Sequence, residues 1–285
     1  MQKIWVCGAR GQIGQAVNDV VDKLEFEMLD TDVDDLDVTD TDEVLRFGEM
    51  NRPDIIINCS GMTDISSCEE NPSQAFKVNA LGARNLAIVA AKMQAKMVQL
   101  STDDVFDGKS TEPYTEFDIT NPGTVYGKSK LAGENYVKEF TTKHFIVGST
   151  WVYGKGQNFI NGFLKKVDAG EQLSIASDQF GSPTSANELA RFLLHLVHTS
   201  EYGTYHATNK GVCSRYAFAQ EILKMTGKTA SMQPVPTVMS DFSKVRPAYA
   251  VLDNFIMSMV PIYDFPDWQD SLREYLEERG LYHAE

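Results

Sequence analysis

The sequence has no run approaching the ~20 consecutive apolar residues that a membrane-crossing helix needs, which argues against an integral helical membrane protein. Its opening stretch, MQKIWVCGARG, lacks the apolar core of a secretory signal, so the expected setting is the cytoplasm. Basic residues are scarce: 26 lysines and arginines face 40 aspartates and glutamates, a net charge of −14. Nucleic-acid backbones and anionic membrane surfaces both need a basic footprint, so neither is expected as a partner. Cysteine is scarce too. The four cysteines, at 7, 59, 68 and 213, include no CxxC pair and read as small reduced residues of a cytosolic core. The five histidines offer no ligand cluster, since His195 and His198 lie three apart with no third ligand nearby; no metal is expected. Eight carboxylates crowd residues 30–43, but the glycine and closing glutamate of a calcium loop are missing, so that run reads as a solvated loop and helix start. There is no internal repeat and no low-complexity tract.

What is present is an ordinary globular composition, 42% apolar over 285 residues, enough for one large α/β domain or a large domain with a smaller one. Apolar strand-like runs alternate with helical patterns: strands at 3–7, 26–29, 54–58, 96–101 and 144–150, helices at 12–24, 41–51, 73–94 and 125–140. The run DIIIN at 54–58 has the unbroken apolar character of a strand buried on both faces. This order predicts a doubly wound parallel sheet, Rossmann-like, with ligands bound at the carboxyl ends of its strands. After residue 150 the rhythm changes to helices at 158–169, 186–198, 214–226 and 268–279, and the proline-bearing stretch 233–249 reads as an irregular surface loop. The expected division is a dinucleotide-binding domain of 1–153 plus about 186–206, and a substrate-binding lobe of about 154–185 and 207–285.

Three constellations can carry chemistry. Gly8-Ala9-Arg10-Gly11-Gln12-Ile13-Gly14 follows the first strand and opens a helix, the context in which glycines bring backbone N–H groups to a pyrophosphate. Asp30, read as the end of the second strand, suits adenosine ribose hydroxyls and favours NADH, whereas Arg10 would admit NADPH. Tyr126 and Lys130 form a YxxxK pair on one helix face. An ammonium there stabilises tyrosinate and brings the phenol towards acid–base use. Ser101 and Thr102 end the strand at 96–101, where a hydroxyl can meet a substrate carbonyl. Lys244 and Arg246 are nearly the only cations of their loop, and Arg246 is the candidate for a nucleotide diphosphate.

With these in place, the chain resembles the dTDP-4-dehydrorhamnose reductase family of the extended short-chain dehydrogenase/reductase superfamily. The resemblance rests on GARGQIG (8–14), DLDVTD (35–40), PDIIINC (53–59), VNALGARNLA (78–87), STDDVFDG (101–108), YGKSKLAGE (126–134), STWVYG (149–154), SDQFGSPT (177–184) and RPAYAVLDN (246–254). It implies a catalytic set of Thr102, Tyr126 and Lys130. It also implies cofactor contacts at Gly11, Gln12, Ile13, Asp30, Asp37, Val38, Ser60 and Gly61, beside the framing Gly8 and Gly14, and substrate contacts at Thr102, Asp103 and Trp151. Two residues depart from the family pattern: Asp104 where tyrosine is usual, and Gly148 where arginine is common. Asp104 is expected to turn to solvent, to accept hydrogen bonds from sugar hydroxyls or to pair with a cation of the other lobe, with solvent favoured because Thr102 and Asp103 already supply the polar contacts.

The resemblance implies hydride transfer from NADPH or NADH to C4 of a nucleotide-linked 4-keto-6-deoxysugar, with dTDP-4-dehydro-L-rhamnose becoming dTDP-L-rhamnose as the leading case. The partner is then a small nucleotide-sugar, and a homodimer is compatible with the chain. The alternatives are a cofactor-binding regulatory subunit of the same fold, similar to that of methionine adenosyltransferase, or a nucleotide-sugar epimerase or dehydratase.

Overall fold

A computed structural model of the chain describes residues 1–239 and 248–283. Lys244 and Arg246 therefore lie outside the described residues. Strands β1 (Gln2–Cys7), β2 (Phe26–Thr31), β3 (Ile55–Asn58), β4 (Lys96–Thr102) and β5 (His144–Ser149) pair in the order β2-β1-β3-β4-β5, and the strand Gly203–His206 adds to β5 at the edge. Every pairing in this sheet is parallel.

Alternate residues of one strand feed two different cores, as pleating requires. Ile4, Val6, Ile55 and Ile57 pack on one face against Ala16 and Val17 of α1 (Gln12–Val20) and against the helix Ala186–Val197. Trp5, Cys7 and Ile56 pack on the other face with Val44 of α2 (Thr41–Asn51) and Leu86 of a helix described next. Helices thus cover both faces, and the strand order reverses between β1 and β3, the place where such sheets open a ligand crevice. Beyond β5 a separate apolar cluster joins Phe163, Ile175, Phe218, Trp268 and Leu272. Among the described residues no helix is long and apolar enough to cross a membrane.

Several expectations change. The helix expected over 73–94 is three pieces after α3 (Ile65–Glu70): α4 (Pro72–Phe76), a π-helical segment Lys77–Gly82, and α5 (Ala83–Met93). π segments widen a helix and concentrate at functional sites. This one presses outward onto α6 (Val125–Phe140), where a Cβ added at Gly133 would lie 2.3 Å from the Asn79 carbonyl oxygen. The first helix stops at Val20 rather than 24. β2 runs on to Thr31, because Thr31 accepts the Trp5 indole N–H at 2.8 Å and its carbonyl accepts the N–H groups of Gly8 and Ala9. Asp30 is therefore the penultimate residue of β2, not its end. The stretch 233–249 is not wholly irregular: Met232–Val235 pairs in parallel with Leu173–Ala176, and Tyr249–Ala250 with Phe180–Gly181. Pro234 is tolerated because its strand belongs to a two-stranded sheet and so is an edge.

Replacing Gly133 by alanine should lower stability by about 1–3 kcal/mol, the usual cost of overpacking a close contact. The midpoint of denaturant unfolding checks this, and an unchanged midpoint would mean that the π segment does not set the spacing of α6.

Candidate functional site

The carboxyl ends of β1, β3, β4 and β5 lead into one cavity of about 640 Å³. Residues 11–13 of the glycine loop line it, as do 59–61 after β3, Thr102 and Asp103 after β4, 149–153 after β5, and Tyr126 and Lys130 from α6. Each segment arrives there for a local reason. Gly8 takes a positive φ of 76°, and a Cβ on it would lie 2.7 Å from the Ser60 nitrogen. Gly14 faces the loop itself, where a Cβ would meet the Gly8 carbonyl oxygen at 2.3 Å. These two glycines close the turn, and Gly11 is the member of the trio that reaches the cavity. α1 starts at Gln12, and Gly11 before it offers no side-chain cap, nor is there an acid in the first turn. Uncapped helix N–H groups opening on a cavity suit an anionic group such as a pyrophosphate.

On the opposite side, Thr124 caps α6 by accepting the Gly127 N–H at 2.9 Å, and Glu69 accepts the Val125 N–H at 2.8 Å. A Cβ on Gly127 would lie 2.0 Å from the Asp104 carbonyl oxygen, so α6 begins in direct contact with the turn after β4. That contact brings Tyr126 and Lys130 to the cavity beside Thr102. It also corrects the expectation for Asp104. The residue is 1% exposed, not solvent-facing, because its N–H donates to Thr102 Oγ1 at 3.2 Å in a tight 3-10 turn and α6 closes over it.

Thr102, Asp103, Tyr126 and Lys130 are all buried. The Thr102 hydroxyl donates to the Asp103 carboxylate at 3.2 Å. Burial pushes the Lys130 ammonium down to about 8, against the opposing pull of Glu134 and Cys59. Burial likewise pushes the Cys59 thiol up to about 12, opposed by Lys130. A Cβ added at Gly61 would lie 3.9 Å from Lys130 Nζ and 3.1 Å from Asn79 Oδ1, so the bare glycine leaves room for the ammonium.

Of the residues singled out in the sequence, Gly11, Gln12, Ile13, Ser60, Gly61, Thr102, Asp103, Tyr126, Lys130 and Trp151 line this cavity. Gly8, Gly14, Asp30, Asp37 and Val38 do not. Asp30 and Asp37 are exposed, and Val38 is buried against Gly82 of the π segment. Arg10 is engaged with its own acidic loop, pairing with Asp34 at 2.7 Å and Asp35 at 2.9 Å. Trp151 holds a positive φ of 46°, a costly conformation for a bulky residue. Gly181 makes room for its indole, since a Cβ there would lie 2.5 Å from the ring.

Sequence reasoning missed Asn79. Its amide accepts the Met62 N–H at 2.8 Å and donates to the Met62 carbonyl at 3.0 Å and to Ser129 Oγ at 2.8 Å. Ser129 in turn donates to the Tyr126 carbonyl at 2.8 Å. One buried amide thus ties the loop after β3 to the helix that carries Tyr126 and Lys130. Arg215, Gln179 and Thr150 also line the cavity; Gln179 sits in SDQFGSPT and Thr150 in STWVYG, neither with a role expected from sequence, and Arg215 lies outside every stretch quoted above.

Comparison with known proteins follows the same outline. Residues 1–280 match the family described as the RmlD substrate binding domain. The spore coat polysaccharide biosynthesis protein SpsK of Bacillus subtilis is 35% identical, covering 98% of this chain and 99% of that protein. The structure of a dTDP-4-dehydrorhamnose reductase from Clostridium acetobutylicum superposes with a TM-score of 0.95 at 40% identity, over 98% of this chain and 100% of that one. The Bacillus anthracis dTDP-4-dehydrorhamnose reductase in complex with NADP gives 0.94 at 35% identity, with the same coverage.

Asn79→Ala should destabilise the protein by about 1–3 kcal/mol, because the Met62 N–H and the Ser129 hydroxyl lose their buried partner. Equilibrium unfolding measures this, and a parent-like free energy would show that the amide is dispensable.

Proposed function

The chain belongs to the RmlD substrate-binding-domain family, and we propose that it is an NAD(P)H-dependent reductase of a dTDP-linked 4-keto-6-deoxysugar, with dTDP-4-dehydro-L-rhamnose as the substrate. The observation that supports this most is that Thr102, Tyr126 and Lys130 line the same cavity as residues 11–13 of the glycine loop. The uncapped start of α1 fits the cofactor's pyrophosphate, with Gln12, Ile13, Ser60 and Gly61 around it. Asp30, Asp37 and Val38 belong to this reading as contacts further along the cofactor. In the same reading residues 1–153 with 186–206 serve the cofactor, and 154–185 with 207–285 serve the sugar. Arg246 remains a candidate for the substrate diphosphate. Four free cysteines suit a reducing, cytoplasmic setting.

NAD(P)H, when bound, supplies the hydride that reduces the sugar's C4. The chain's own residues manage the oxygen. Thr102 turns its hydroxyl from the Asp103 carboxylate to the sugar carbonyl and fixes its direction. Tyr126 gives its phenolic proton to O4 as negative charge develops there. Lys130, one helix turn along, stabilises the tyrosinate left behind, and burial strengthens that attraction. Trp151 flanks the sugar. The carbonyl gains a hydride and a proton and becomes an alcohol, so no further reactant is needed.

The direct test is consumption of NADPH or NADH, followed by near-ultraviolet absorbance, on dTDP-4-dehydro-L-rhamnose against other keto-sugars. Absence of turnover on any keto-sugar by a protein that still binds cofactor would favour a regulatory role instead. Tyr126→Phe should keep cofactor affinity while kcat falls by about 10²-fold or more, the usual worth of a positioned acid; an unchanged kcat would remove Tyr126 from the proton path.

The pH dependence follows from Lys130. Its charge is present below about pH 8 and lost above it. Turnover that depends on that charge should be level below this pH and decline as pH rises through it. Lys130→Met should flatten that decline and weaken cofactor binding, and a variant with the parent's alkaline decline would assign the titration to another group.

A further inference from the structure

We infer that Arg215 is a cation that receives the diphosphate of the nucleotide-sugar, an assignment that rests on the reaction proposed above. The argument starts from charge. A chain of net charge −14 repels a doubly anionic substrate unless its cavity supplies local positive charge. Among the described residues lining the cavity, the cations are Lys130 and Arg215, and the carboxylate is Asp103. Lys130 sits under Tyr126 and is committed to the reacting end. The uncapped N–H groups of α1 suit the cofactor's own pyrophosphate. The substrate diphosphate needs a separate receiver, and among the described residues Arg215 is the other cation on the cavity wall.

The geometry of Arg215 fits that role. It opens the helix Arg215–Thr226, and its backbone N–H donates to the Gln179 carbonyl at 3.0 Å. Its guanidinium carbon lies 3.4 Å from the centroid of the Trp151 ring and 4.8 Å from that of Phe159, in a residue only 9% exposed. Stacking of this kind uses the faces of the guanidinium, while its N–H donors lie in the plane, the arrangement in which arginine grips two phosphate oxygens at once. Partial desolvation on the aromatic rings strengthens that grip.

A second observation points to a ligand at the same wall. Gln179 and Thr150 line the cavity at 5% and 1% exposure, and Gln179 Nε2 and Thr150 Oγ1 are buried without a hydrogen-bond partner among the described residues. Buried donors are normally satisfied. Both donors lie just behind the wall that carries Trp151 and Arg215, and a side-chain rotation that brings them to phosphate oxygens would satisfy them. The left-handed turn at Trp151 belongs to the same construction, because it presents the indole on which the guanidinium stacks.

Calorimetric titration of the NADPH-loaded enzyme with dTDP and with thymidine separates charge recognition from base recognition. Arg215→Met should weaken dTDP binding by about tenfold or more, an effect of about 1.4 kcal/mol. Thymidine affinity, NADPH affinity and the thermal midpoint should stay near the parent values. Arg215→Lys keeps the charge but loses the two-pronged grip, so it should lose about threefold or more in dTDP affinity; it decides the question if the Met variant does not fold. Parent-like dTDP binding in either variant overturns the assignment. An equal loss for dTDP and thymidine, or a loss for NADPH, also overturns it, because the side chain would then be shaping the cavity rather than reading phosphate charge. A parent enzyme that binds NADPH but no dTDP overturns the proposed substrate class and this assignment with it. A parent that binds dTDP while the variants bind it equally well overturns the assignment alone.

Discussion

The approach of α6 to the turn after β4 is the contact on which the site depends. No Cβ fits at position 127, because the Asp104 carbonyl oxygen occupies its place at 2.0 Å. A second glycine on the same helix, Gly133, admits the Asn79 carbonyl of the π segment. Two points of backbone contact fix both the position and the rotation of α6, and with them the face that carries Tyr126 and Lys130. Thr102 is fixed by the same turn, since its hydroxyl accepts the Asp104 N–H. Three side chains from two separate parts of the sequence thus meet at one cavity through backbone packing.

Burial has electrostatic consequences. Lys130 is held under cover, which lowers its proton affinity; Glu134 and Cys59 oppose that fall. Glu134 is itself buried, accepting from the Ser101 hydroxyl and pairing with Lys138 at 3.4 Å. An ammonium under such conditions gains from any negative charge that forms beside it, and tyrosinate is such a charge. The acid-rich exterior has no part in this. The eight carboxylates of 30–43 stay largely outside, cap turns and hold Arg10, and none of them lines the cavity.

Much of this was legible in the sequence where a local pattern has a single three-dimensional meaning. DIIIN could only be a strand buried on both faces, and the YxxxK spacing placed Tyr126 and Lys130 one helix turn apart. The glycine loop announced a strand-to-helix turn, although its three glycines do different work: Gly8 and Gly14 close the turn, and Gly11 opens it to the cavity. What escaped notice depends on contacts between distant segments. The π segment at Lys77–Gly82 reads as ordinary helix because what packs on it is distant in sequence: Gly133 admits its Asn79 carbonyl, and Val38 lies against its Gly82. Asp104 looked like a surface acid because nothing nearby in sequence covers it; α6 does. Asn79 sits in VNALGARNLA without a role that the stretch itself reveals, and Arg215 lies in none of the quoted stretches; only the fold brings the one to Met62 and Ser129 and the other over Trp151.

The central claim is that this cavity carries a hydride to C4 of a keto-sugar while Tyr126 protonates its oxygen. Isotope tracing tests it most directly. With NADPH deuterated at the transferable position of the nicotinamide and dTDP-4-dehydro-L-rhamnose in ordinary water, the account predicts one deuterium at C4 of the product sugar and none elsewhere. Product without deuterium at C4, or oxidation of the cofactor without reduction of the sugar, would contradict it.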